Sequence, residues 1–158
     1  MFYSVSDRFL LSISDVMGIK INEIALKDAF KSKIKDGFYI VNLDDDNGQG
    51  THWTCFLIND PYCIYFDSFG LPPPNDIRKY ARKYAIISFN NQIQDIRSEA
   101  CGYYCLDFMK YMSKFRKNQL DSPLKIGRRL ALFGEPYDYN NRSLNEKVLK
   151  SHMEEHLK

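Results

Sequence analysis

Two runs rich in aromatic and β-branched residues, THWTCFLI at 51–58 and YCIYFD at 62–67, are separated only by Asn59-Asp60-Pro61. Those three residues are turn formers, and runs of this kind around such a turn read as a β-hairpin. A chain that contains this hairpin has to build a sheet and bury at least one of its faces. Phe38 to Leu43 (FYIVNL) and Ala85 to Phe89 read as further strands by the same composition.

The segments around these strands have helical spacing. Phe9, Leu10, Ile13, Val16 and Met17 fall on one face of residues 7–17, which Gly18 stops. Residues 22–32 read as a short amphipathic helix with Asn22 as N-cap, and residues 75–84 as a helix capped by Asn75, after the stiff loop Leu71-Pro72-Pro73-Pro74. The strongest pattern runs from Glu99 to about Phe115, where Cys101, Tyr104, Cys105, Phe108, Met109 and Met112 form one apolar face. Another helix is expected over 122–132, followed by a polar, charged tail after Gly134. Asp44 to Gly50 (DDDNGQG) and Asn90 to Arg97 read as loops. Helices outside a cluster of antiparallel strands give the α+β class. A length of 158 residues fits a single domain, 1–158, with its core at about 37–115.

Composition narrows the function. Apolar residues make up 44% and aromatic residues 15%, enough for a real core, and a net charge of +2 does not by itself require nucleic acid. No apolar stretch approaches the roughly 18 residues that a membrane span needs. Met1 to Ser14 has no basic segment and no small-residue cleavage site, so no signal peptide is expected and the protein reads as intracellular rather than secreted. In that compartment Cys55, Cys63, Cys101 and Cys105 should stay reduced. They form no CxxC pair, so neither a structural zinc nor any other cofactor is expected.

Two places can carry chemistry. Ser98 is a good N-cap, which would set Cys101 near the third helical position. Unpaired N–H groups and the positive end of the helix dipole favour a thiolate there. The same position also suits an ordinary core cysteine. Gly102 beside the thiol leaves room for a substrate backbone. In the hairpin, a two-residue loop Asn59-Asp60 puts His52 directly opposite Asp67. A four-residue loop makes them diagonal neighbours on the same face. Opposed Cβ atoms lie about 4.5–5.5 Å apart, which suits an imidazole bonded to a carboxylate. His152 and His156 fall in the polar tail, a poor place for a rigid catalytic group.

Several quoted segments together resemble a known family. Gly50-Thr51-His52-Trp53, Tyr65-Phe66-Asp67-Ser68-Phe69-Gly70, Gln94, and Ser98-Glu99-Ala100-Cys101-Gly102-Tyr103-Tyr104-Cys105 look like the adenovirus-type maturation proteases. These belong to the wider Ulp1-like cysteine proteases, which include SUMO deconjugases. With Leu43-Asp44-Asp45 added, the pattern is most similar to proteases of Polinton-type elements, virophages and large DNA viruses. It covers about residues 37–109, and the Gln stands seven residues before the Cys.

The resemblance implies a papain-like fold with a mostly antiparallel sheet and the nucleophile at a buried helix N-terminus. It implies Cys101 as nucleophile, His52 as base, Asp67 as the residue that orients His52, and Gln94 with the Cys101 N–H as oxyanion donors. Gln92 is the alternative to Gln94. Trp53 would line the substrate groove or pack in the core. The implied function is a viral maturation protease acting on capsid precursors, inside the virion or the host cell, as a monomer. A deconjugase for a ubiquitin-like modifier and an inactive binding or capsid component are the competing readings. Adenovirus-type enzymes use a disulfide-linked peptide activator, but the matching position here is Lys83, so that device is not expected. They also bind DNA. Arg78, Lys79, Arg82 and Lys83, and separately Lys125, Arg128 and Arg129, are the candidate basic clusters, each of which also suits a solvated helix face.

Overall fold

A computed structural model describes residues 2–44, 52–95, 97–114, 130, 133 and 139–158. The expected helix over 122–132 lies outside the described residues except for Leu130, which is helical and buried. The second basic cluster, Lys125, Arg128 and Arg129, lies outside them entirely, as do Gly50 and Thr51.

Among the described residues five strands form one sheet: β1 (Ile21–Leu26), β2 (Gly37–Asn42), β3 (Trp53–Asn59), β4 (Tyr62–Phe66) and β5 (Ala85–Ser88), in spatial order β1-β2-β3-β4-β5. The central pairings, β2 with β3 and β3 with β4, are antiparallel. The outer ones, β1 with β2 and β4 with β5, are parallel. The sheet is therefore mixed, and the antiparallel character inferred from the hairpin holds only at its centre. The helices are α1 (Asp7–Val16), α2 (Asn75–Tyr80), α3 (Cys101–Ser113) and α4 (Tyr139–His156). The architecture is α+β.

The sheet buries both faces. Alternation sends Ile40, Cys55, Leu57, Ile64 and Phe66 to the side covered by α1 and α3. Tyr39, Val41, Phe56, Ile58, Cys63 and Tyr65 go to the other side, where Ile77 of α2 meets them. Every residue of β3 is buried, as suits the middle strand of a doubly covered sheet. The rings of Phe66 on β4 and Phe108 on α3 stack with centroids 4.5 Å apart. Such a pair is worth about 0.5–1.5 kcal/mol beyond its buried area. It ties the strand end that precedes Asp67 to the helix that begins with Cys101.

Four readings from sequence change. Residues 21–26 are a strand and not the start of a helix. A short isolated helix is marginal, whereas this segment gains a ladder with β2. It is also pinned by Asn22, whose Nδ2 donates to the Asp36 carbonyl at 3.0 Å, and by Glu23, whose carboxylate accepts from the Lys31 and Ser32 backbone N–H groups. In α2 the N-cap is Pro74 rather than Asn75, with no side-chain cap bond, and the helix ends at Tyr80. In α3 the N-cap is Ala100 rather than Ser98. Ser98 Oγ instead accepts from the Ala100 N–H at 3.2 Å and donates to Glu146 Oε1 at 2.8 Å. The polar stretch after Gly134 contains α4, whose Leu149 and Met153 enter the core beside α3. Among the described residues no helix is long and apolar enough to cross a membrane.

Candidate active site

The hairpin register pairs Asn59 with Tyr62 and Cys55 with Phe66, so the turn residues are Asp60 and Pro61. This makes His52 and Asp67 diagonal neighbours on one face, just outside the first residue of β3 and the last of β4. His52 Nε2 and Asp67 Oδ1 lie 2.7 Å apart. Asp67 Oδ1 also accepts the Phe69 backbone N–H at 2.8 Å, which fixes the carboxylate. Its other oxygen, Oδ2, is buried and has no hydrogen-bond partner among the described residues. The chain can double back after Asp67 because Gly70 has φ 74°, and a Cβ there would stand 2.9 Å from the backbone of Asn90 to Gln92.

With Nε2 committed to Asp67, Nδ1 is the ring nitrogen left for Cys101, which acts on the imidazole as a near neighbour. Burial acts to lower the His52 pKa. The bond to Asp67, the attraction of Cys101 and the charge of both partners outweigh it and raise the pKa to about 9. The Cys101 sulfur accepts the Trp53 backbone N–H at 3.4 Å. Because Ala100 is the N-cap, Cys101 is the first residue of α3, so the sulfur sits at the positive end of the helix dipole.

Gln94 is 1% exposed and held at both ends of its amide. Ser68 Oγ donates to Gln94 Oε1, and Gln94 Nε2 donates to the Ser98 carbonyl at 2.8 Å. The backbone N–H groups of Ile93 and Gln94 both reach the Ser68 carbonyl. Gln92 is half-exposed and spends its amide on the Gln94 carbonyl at 3.2 Å. The two glutamines are thus in different settings, although nothing in their sequence surroundings separates them.

Trp53 and Gly102, the candidates for lining a substrate groove, are both covered by the chain itself. Trp53 is 4% exposed, and its indole Nε1 donates to the Val5 carbonyl at 3.0 Å. A Cβ on Gly102 would meet Val5 Cγ2 at 2.5 Å and Leu10 Cδ2 at 3.1 Å. The space that a side chain at 102 would fill is taken by the N-terminal segment and α1. Beside these residues a cleft of about 360 Å³ opens between Val5 to Asp7, Trp53, Asn42 and residues 24–26 of β1.

Sequence reasoning did not single out Ser68 and Phe69. Both sit in the run Tyr65 to Gly70, and both act through their neighbours: Ser68 on Gln94, and Phe69 by stacking on His52. His152 and His156 are ordered on α4, where both bond to the buried Asp107 of α3, more than a turn beyond Cys101. Arg78, Lys79, Arg82 and Lys83 are exposed on α2 and the turn after it. Among the described residues no group of His, Cys, Asp and Glu could hold a metal ion.

No protein-family model matches the chain, and no curated protein matches it. Solved structures similar to it include those of three proteins. The ASFV pS273R protease aligns with 19% identity and a TM-score of 0.40, covering 60% of this chain and 42% of that one. The aligned region is therefore less than half the length of that protease. The SUMO protease Ulp1, with its catalytic cysteine oxidised to a sulfinic acid, aligns with 16% identity and a TM-score of 0.45, covering 98% and 80%. The central domain of the uncharacterized Lpg1148 protein from Legionella pneumophila aligns with 11% identity and a TM-score of 0.48, covering 97% and 99%.

Proposed function

We propose that the protein is a cysteine endopeptidase whose nucleophile is Cys101, and that its substrates are precursor proteins of a virus-like particle. The observation that carries the enzymatic reading is the 2.7 Å bond between Asp67 and His52, with the Cys101 sulfur at the start of α3 bonded to the backbone N–H of Trp53, the residue after His52. The choice of capsid precursors rests on the sequence resemblance alone.

In the reaction the sulfur of Cys101 attacks the scissile carbonyl carbon while His52 carries the proton. The carbonyl π-electrons move onto oxygen, where Gln94 and the Cys101 backbone N–H donate to them. Gln94 Nε2 gives one hydrogen to Ser98 and has a second for this purpose. As the first helical residue, Cys101 places its N–H at the positive end of the α3 dipole. Collapse of the intermediate breaks the C–N bond, and His52 protonates the departing amine. Water then attacks the thioester while His52 takes its proton, the second tetrahedral oxyanion collapses with breakage of the C–S bond, and the carboxylate product leaves as the Cys101 sulfur is restored. Asp67 holds the ring in one orientation and stabilises its charge through both steps.

Iodoacetamide labelling at neutral pH, mapped by mass spectrometry, tests this reading. Cys101 should react far faster than the other cysteines, because Cys55, Cys63 and Cys105 are fully buried and burial pushes the Cys63 thiol up to about 12. Equal labelling of all four, or a Cys101 rate unchanged in His52→Ala, would fit an inactive binding module instead. Capture by a ubiquitin-like aldehyde would redirect the substrate class to deconjugation.

A further inference from the structure

The loop that carries Gln94 is held from outside the proposed catalytic groups, by α4. Asn145 of α4 is 1% exposed, and its Nδ2 donates to the Ile93 carbonyl at 2.9 Å. Its neighbour Glu146 accepts the Ser98 hydroxyl at 2.8 Å. Ile93 and Ser98 flank Gln94 in the chain, and the Ser98 carbonyl is the acceptor that fixes Gln94 Nε2. A line of bonds therefore runs from Glu146 through Ser98 to the amide of Gln94, and a second anchor stands one residue before it. Tyr104 of α3 also reaches the Ile93 carbonyl, at 3.5 Å.

The helix that supplies these bonds is fixed to the helix that carries the nucleophile. Leu149 and Met153 pack in the core with α3. Asp107 of α3 receives His152 Nδ1 at 3.2 Å and His156 Nε2 at 2.8 Å. The sulfur and the Gln94 amide are thus both set against one α3–α4 pair. An oxyanion donor needs its position fixed before the reaction, because a donor that must reorganise loses much of its effect.

We propose that Asn145 and Glu146 are positioning residues for acyl transfer, which act through Ile93 and Ser98 to hold Gln94 at the oxyanion. The proposal rests on the cysteine-protease reading.

The test compares two reactions of Cys101 in the full chain. In the first, p-nitrophenyl acetate acetylates the sulfur: the S–C bond forms, the C–O bond breaks, and p-nitrophenolate leaves through a tetrahedral oxyanion. In the second, iodoacetamide alkylates the same sulfur by displacing iodide, with no oxyanion. Asn145→Asp keeps the size of the side chain but removes the donor to Ile93. Glu146→Ala removes the acceptor for Ser98, and Glu146→Gln keeps one. Asn145→Asp and Glu146→Ala should acetylate about tenfold more slowly, as loss of part of an oxyanion donor allows. Their alkylation should stay within about twofold of the parent, and Glu146→Gln should recover most of the acetylation rate. Unchanged acetylation in both variants overturns the proposal. So does an equal fall in both reactions, since that marks a general structural role. If the parent Cys101 is no more reactive than in His52→Ala, the protease reading itself fails, and that result is distinct from either of the others.

Discussion

The Phe69 ring lies flat against the His52 imidazole, with centroids 4.2 Å apart and planes 12° apart. In the hairpin register Phe69 would be the cross-strand partner of His52 if β4 continued past Phe66. The chain instead turns at Asp67, so the same residue gives its backbone N–H to the carboxylate and its ring to the imidazole. His52 is therefore held at its edge by Asp67 and on one face by Phe69.

A stack of this kind is worth about 0.5–1.5 kcal/mol, or roughly 2- to 10-fold in rate if it acts only on the reactive orientation of the ring. Phe69→Ala should lower kcat by about that factor and leave the backbone bond to Asp67 intact. Steady-state kinetics on one peptide substrate checks this. A variant equal to the parent would reduce the stack to incidental packing.

The pH dependence follows from His52. Its pKa in the folded protein is raised to about 9, so its protonated form is favoured by folding. That contribution to stability is complete below the unfolded value of about 6.5 and is lost as pH rises through about 9. Asp67→Asn keeps an acceptor for the ring but removes the charge that stabilises the imidazolium. The stability gap between parent and variant should be widest near pH 6 and narrow toward pH 10, as read by urea denaturation across that range. The variant should also turn over more slowly, with its alkaline limit moved to lower pH. The loss should fall short of the roughly 10⁴-fold seen when a serine protease loses this carboxylate, because Cys101 also favours the charged ring. A gap that widens with rising pH would contradict the assignment.

The two glutamines should separate cleanly. Gln94 is buried and its amide is fixed at both ends, whereas Gln92 is half-exposed and bonds back to the loop. Gln94→Ala should lower kcat by about 10²-fold or more with little change in KM, the pattern of an interaction made mainly in the transition state. Gln92→Ala should stay within a few-fold of the parent. Kinetics of both variants on one substrate decides the matter, and the reverse order would move the oxyanion role to Gln92.

Much of this arrangement can be read in the chain before folding. The hairpin and the apolar face from Cys101 to Met112 are strong local patterns, and period-two alternation already places His52 and Asp67 on one face. The errors arise where tertiary contact overrides local preference. Residues 22–32 have a pattern that suits a short helix, but the edge of β2 offers residues 21–26 a ladder. Ser98 has the chemistry of an N-cap, but Glu146 claims its hydroxyl from 48 residues away. The tail looked unconstrained because its few apolar residues, among them Leu149 and Met153, are spread along a polar helix. Asn145 and Glu146 carry no local signal at all, since their partners are distant in sequence.

The central claim is that Cys101 cuts peptide bonds with His52 as its base. The most direct measurement is cleavage of a peptide library by the parent protein and by Cys101→Ser, with thermal melting of both. The parent should cut a defined set of peptides, and the variant should melt at the same temperature and cut none of them. Cleavage that survives in Cys101→Ser would contradict the account, as would a folded parent that cuts nothing while its Cys101 alkylates no faster than the buried cysteines.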